Sequence, residues 1–139
     1  MLRYDKSYIE KFFGSLNEYH SMVELFRIAY GETKEKHDDS HKWIIELGEI
    51  MNWQAMSVRS GVWTYYEITD DCNAKILIEG LTLKNESEIL NQYCVGIDNY
   101  SNEELMDGID KWITNNEDKI YRYIADILIQ HKDWFNTLQ

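Results

Sequence analysis

Apolar residues return every three or four positions along most of this chain, the spacing that lines one face of an α-helix. Ser7 and Glu10 have capping-box spacing, and Tyr8, Ile9, Phe12, Phe13 and Leu16 form the stripe that follows. Gly14 breaks or bends that run. Ser15 and Glu18 repeat the cap spacing, and Leu16, Tyr19, Val23, Phe26 and Tyr30 predict a second helix with its C-cap at Gly31. Residues 32–38 are all polar and read as a loop. A third helix starts at Asp39 or Ser40, with Trp43, Ile44, Leu47, Ile50 and Met51 inward and Glu46 and Glu49 outward.

The stretch 55–69 has two readings. Val62 to Ile68 has strand composition, and a hairpin over residues 62–83 would turn at Thr69–Asn73. Against this, Ser57, Ser60, Thr64 and Glu67 fall three or four apart and leave Met56, Arg59, Val62, Trp63 and Tyr66 opposite, which is helical periodicity and the preferred reading. A short helix over 74–83 then follows on Ala74, Leu77, Ile78 and Leu81, capped by Asp70 or Asp71. Ile89, Leu90, Tyr93 and Cys94 mark another, ending by Gly96. Ser101 and Glu104 again have cap spacing, ahead of Leu105, Met106, Ile109, Trp112 and Ile113. Asn116 opens a long last helix through Ile120, Tyr121, Ile124, Ile127, Leu128, His131, Trp134 and Phe135. The expected fold is all-α: one domain over residues 1–139, an antiparallel bundle or array of six to eight helices, with the 62–83 hairpin as the α+β alternative.

Composition supports this. There is no proline among 139 residues, where average usage of about 5% would place several. Ile, Asn, Lys and Tyr make up 46 residues and Ala only four, a bias associated with AT-rich bacterial or phage coding. The chain is 44% hydrophobic and 14% aromatic, too apolar for a disordered acidic tail. Two cysteines, no apolar run of membrane-spanning length and no signal-peptide core at the N-terminus place the expected setting in the cytoplasm.

Several chemistries lack their motifs. The seven glycines are never closer than twelve residues, so no phosphate-cradling loop exists, and neither Gly-x-Ser-x-Gly nor Cys-x-x-Cys occurs. Asp70 and Asp71 disfavour a thiolate at Cys72, and Cys94 sits on an apolar stripe. His37 and His41 are four apart with Asp38 and Asp39 between them, which could grip a metal ion if the segment were helical. The same acids also suit a helix N-terminus. His131 falls on the apolar stripe of the last helix. No cofactor is expected.

Charge carries the functional reading. The net charge is −11, which argues against free nucleic acid as a ligand. Residues 85–118 hold nine acids (Glu86, Glu88, Asp98, Glu103, Glu104, Asp107, Asp110, Glu117, Asp118) against Lys111 alone. Glu103, Asp107 and Asp110 form one outward ridge whose like charges cost a helix about 0.2–0.5 kcal/mol per pair. Such a ridge is either a solvated face or a docking surface for a basic partner. Tyr93, Tyr100 and Trp112 are the aromatic candidates nearby, with Tyr100 the one expected to be exposed and Trp112 expected in the core. The predicted partner-binding set is Glu86, Glu88, Asp98, Tyr100, Glu103, Asp107, Asp110 and Asp118, with the exposed edges of the Tyr-rich segment 55–69 as the next surface to consider.

In character, as a small acidic helical protein rich in Tyr and Trp, the chain resembles bacterial immunity proteins that neutralise nuclease toxins, and phage nucleic-acid mimics. The resemblance rests on no alignable motif and carries over no residues. It implies a non-enzymatic inhibitor of a basic, nucleic-acid-handling protein. The alternatives are a small metal-dependent enzyme using His37 and His41, and a helical interaction domain whose acidity serves solubility alone.

Overall fold

The computed structural model describes residues 4–34 and 39–138. Among them the chain is all-α, with no strand and nine helices: α1 Lys6–Phe13, α2 Tyr19–Thr33, α3 Lys42–Arg59, α4 Trp63–Ile68, α5 Asp71–Leu83, α6 Ser87–Gly96, α7 Glu103–Asn115, α8 Glu117–Gln130 and α9 Lys132–Asn136. A 3-10 turn, Asp39–His41, precedes α3. Seven of the nine have at least seven residues. The 62–83 hairpin does not form, since α4 and α5 occupy those residues.

The chain divides into two compact units. The first holds residues up to Ile44 and from Tyr121 onward, and in it α1 packs on α2 and α9. Ile9, Phe12, Met22, Leu25, Ile28, Ile124, Leu128 and Phe135 are among its buried side chains. His131 stacks on Trp43 with ring centroids 4.0 Å apart, and its Nδ1 donates to the Ile127 carbonyl at 2.8 Å. The second unit, Ile45–Ile120, packs α5 on α6 and α6 on α7. Leu47, Ile50, Trp53, Val62, Leu77, Leu81, Ile89, Tyr93, Ile109 and Ile113 are buried in it.

Several local expectations change, each for a physical reason. Ser7, Ser15 and Ser101 are not N-caps. The α1 cap is Asp5, and α2 begins after Glu18. Asn102 caps α7 by accepting from the Leu105 N–H. Ser15 donates to the Lys11 carbonyl, which leaves its oxygen to accept from Ser21 at 2.7 Å, so its hydroxyl closes the turn after α1. The buried stripe of α2 runs through Met22, Leu25, Ile28 and Ala29, one position round from the one read from Val23, Phe26 and Tyr30; Tyr30 is exposed. Gly31 does not end α2, which continues to Thr33, and the Thr33 hydroxyl donates to Ala29 O. Asp70 does cap α5, accepting from Cys72 and Asn73 N–H groups.

The segment 55–69 is two helices, not one. Gly61 adopts φ +101°, a left-handed conformation available to glycine, and the chain turns there between α3 and α4. Asn116 precedes α8 as expected, yet its side-chain amide donates back to the Trp112 carbonyl of α7. The last apolar stripe is likewise interrupted at His131, between α8 and α9.

Glu46 is the largest reversal on α3. It is buried, at 6% exposure, and its carboxylate pairs with Lys84 just beyond α5, 2.7 Å away. Gly80 on α5 makes the space: a Cβ there would overlap the Glu46 carboxylate. Glu49 is half-buried, not outward. Its Oε1 accepts from the Tyr65 hydroxyl at 2.6 Å and the Thr69 hydroxyl at 2.8 Å.

Candidate functional site

The acidic segment 85–118 lies wholly in the second unit. The structure scatters half of its predicted binding residues. Glu86 is half-buried at the start of α6. Glu88 is exposed but ion-paired with Lys119, so its charge is compensated. Asp98 is exposed in the turn after α6 and takes φ +62°, a conformation Asp tolerates better than most residues. Asp118 is exposed in the first turn of α8, where the helix dipole favours an acid.

The other four come together. Tyr100, Glu103, Asp107 and Asp110 line a groove of about 530 Å³, joined there by Trp63, Glu67, Ser101 and Met106. Trp63 and Glu67 are one turn apart on α4, which brings two further contacts from the segment 55–69 to the α7 ridge. Trp63 and Tyr100 are 42% and 44% exposed, so the groove carries two aromatic side chains open to solvent. Glu67, Glu103 and Asp107 are exposed, and none is in an ion pair among the described residues. Gly61 leaves room for the indole: a Cβ at that position would lie 2.9 Å from Trp63 Cδ1.

Asp110 is not a free member of the ridge. It is half-buried, and its Oδ1 accepts from the Ser57 hydroxyl at 2.6 Å and the Val62 N–H at 2.9 Å. Those bonds tie α7 to the end of α3 and the start of α4. They also fix the carboxylate, leaving Oδ2 without a hydrogen bond among the described residues.

Of the aromatic candidates, Tyr93 is fully buried and cannot act as a surface anchor. It belongs to a closed network. Tyr65 donates its one proton to Glu49, so the 2.6 Å contact between the Tyr65 and Tyr93 hydroxyls is donated by Tyr93. Tyr66 donates to the Tyr93 carbonyl at 2.7 Å and accepts from Trp53 Nε1 at 2.8 Å. Burial pushes all three tyrosines above the usual range, and the Glu49 charge adds to this at Tyr65 and Tyr93. Trp112 is half-buried and Tyr100 exposed.

The raised tyrosines predict alkaline instability. The unfolded tyrosines ionise near pH 10, and the folded ones stay neutral above it, so the native state holds the extra protons. Stability is therefore intact below about pH 10 and falls above it, by up to about 1.4 kcal/mol per pH unit for each of Tyr65, Tyr66 and Tyr93. Urea titrations from about pH 9 to about pH 11 should show this fall, with one phase of tyrosinate absorbance appearing only as the protein unfolds. Constant stability across that range would contradict it.

His37 and Asp38, half of the alternative metal cluster, lie outside the described residues. His41 closes the 3-10 turn and meets Trp134 edge-on, with ring centroids 6.1 Å apart. Among the described residues no three His, Cys, Asp or Glu side chains gather as a ligand set. Cys72 and Cys94 are both exposed free thiols. Cys94 lies one position round from the Ile89, Tyr93 and Gly96 stripe that α6 buries, and partial burial of its sulfur pushes the thiol pKa up. No described helix is long and apolar enough to cross a membrane. Comparisons with protein-family models, with curated proteins and with solved structures give no match to this chain.

Proposed function

We propose that this chain is a non-enzymatic binding protein that neutralises a basic, nucleic-acid-handling protein through the acidic groove of α4 and α7. The observation that carries the reading is the company kept by Glu103 and Asp107. They are exposed and in no ion pair among the described residues, and they flank a groove bearing two exposed aromatic rings. Unneutralised carboxylates steer a cationic surface toward the site, and Trp and Tyr supply anchors once water is displaced. A protein that binds nucleic acid presents Lys and Arg arranged for phosphates, which an acidic helix edge complements.

The test separates charge from fold. Bait protein, wild type or Glu103→Gln/Asp107→Asn, is used to capture partners from an extract of the native host, and captured proteins are identified by mass spectrometry. Association of the identified partner is then timed at low and high salt. The reading expects a basic partner whose association is slowed about tenfold by the double substitution at low salt, with a flatter salt dependence. A partner captured equally fast by both proteins would place the binding surface elsewhere.

A further inference from the structure

We infer that the groove between α4 and α7 receives the side chain of a single arginine presented by the partner. The inference rests on the binding reading above and narrows it to one chemical group.

The groove combines two kinds of wall. Trp63 and Tyr100 offer exposed rings from a short helix and a loop, and a ring face attracts a cation most strongly when that cation is weakly hydrated. Glu67, Glu103, Asp107 and Asp110 contribute carboxylates from two different helices. The Asp110 carboxylate is already held by Ser57 and Val62 through Oδ1, so Oδ2 can accept a new donor without the side chain being reordered. A planar guanidinium suits this arrangement better than an ammonium: its five N–H donors spread in a plane toward separated acceptors while its face stacks on a ring.

The probe is N-acetyl-arginine amide, titrated into the full-length protein labelled with nitrogen-15, with the lysine and citrulline analogues as comparisons. Arginine should shift the Trp63 indole N–H and the α4 and α7 amides saturably, with an affinity of about millimolar, as expected for so small a ligand. Lysine should bind at least about threefold more weakly, because its compact ammonium is more strongly hydrated and stacks poorly, and neutral citrulline should give no saturable shift. Trp63→Ala should abolish the arginine response. If that variant disturbs α4, Glu67→Gln/Asp107→Asn should weaken arginine about fivefold by removing two of the four carboxylates.

A saturable arginine response centred on Trp63 supports the inference. No response, an equal response to citrulline, or lysine binding as well as arginine overturns it. The two readings fail separately. If the arginine probe fails while Glu103→Gln/Asp107→Asn still slows partner capture, the groove assignment falls and the wider function stands. If arginine binds while partner capture is unaffected, the groove's preference for a guanidinium stands, and the claim that the partner presents it falls with the wider function.

Discussion

Replacing Gly96 by alanine is expected to destabilise the protein by about 1–5 kcal/mol, whereas the same replacement at Gly108 should stabilise it by about 0.5–1 kcal/mol. Both glycines lie in helices, so helix propensity favours alanine at each. Their surroundings decide the sign. A Cβ on Gly108 would meet nothing within 4 Å. A Cβ on Gly96 would overlap the Tyr66 ring and hydroxyl. That ring is buried and stiff, and its hydroxyl bonds both Trp53 Nε1 and the Tyr93 carbonyl. Displacing it overpacks the core at about 1–3 kcal/mol and leaves a buried indole N–H unpaired at about 1–3 kcal/mol more. Urea unfolding followed by circular dichroism measures both variants. A Tyr66→Leu/Gly96→Ala protein should lose less than the sum of its single substitutions, since the two residues occupy the same space. Strict additivity would mean that the ring does not abut Gly96.

Asp110 supplies the second large effect, and it divides the acidic ridge into two kinds of residue. Asp110→Ala should cost about 2–3 kcal/mol, because the Val62 N–H and the Ser57 hydroxyl both donate to its charged Oδ1. Val62 is fully buried, so water does not readily replace that acceptor. Asp110→Asn keeps an oxygen in place and should cost about 1 kcal/mol, the difference between a charged and a neutral acceptor. Glu103→Gln/Asp107→Asn should instead change stability by no more than a few tenths of a kcal/mol, since the i,i+4 repulsion that is removed offsets the helix-dipole interaction lost at Glu103 in the first turn of α7. Loss of partner binding without loss of stability is therefore diagnostic at Glu103 and Asp107, but not at Asp110. Equal unfolding midpoints for Asp110→Ala and wild type would show that the α3–α4 junction does not depend on this carboxylate.

The helical character of the chain was legible because it is a local property. Apolar spacing, the absence of proline and the Asp70 cap each act within a few residues, and helices form at nearly every predicted segment. Legibility ended where a residue's fate depends on a distant one. Glu46 reads as outward on α3, yet Lys84 pairs with it and Gly80 gives it room, 38 and 34 positions further on. Tyr93 reads as a potential anchor, yet it is buried with its hydroxyl donating to Tyr65. Ser60–Gly61 was the visible signal that 55–69 would split, because glycine is the residue best able to turn the chain at positive φ.

For the site, sequence alone determined that residues 85–118 concentrate negative charge and that Glu103, Asp107 and Asp110 share one edge of a helix, because helical periodicity fixes which neighbours align. Only the tertiary structure decided what those charges do. It paired Glu88 with Lys119, turned Asp110 into a brace for α4, left Glu103 and Asp107 exposed, and set Trp63 and Glu67 beside them. Those outcomes depend on contacts between residues 31 to 53 positions apart, which are made when helices pack and leave no periodic trace in the chain.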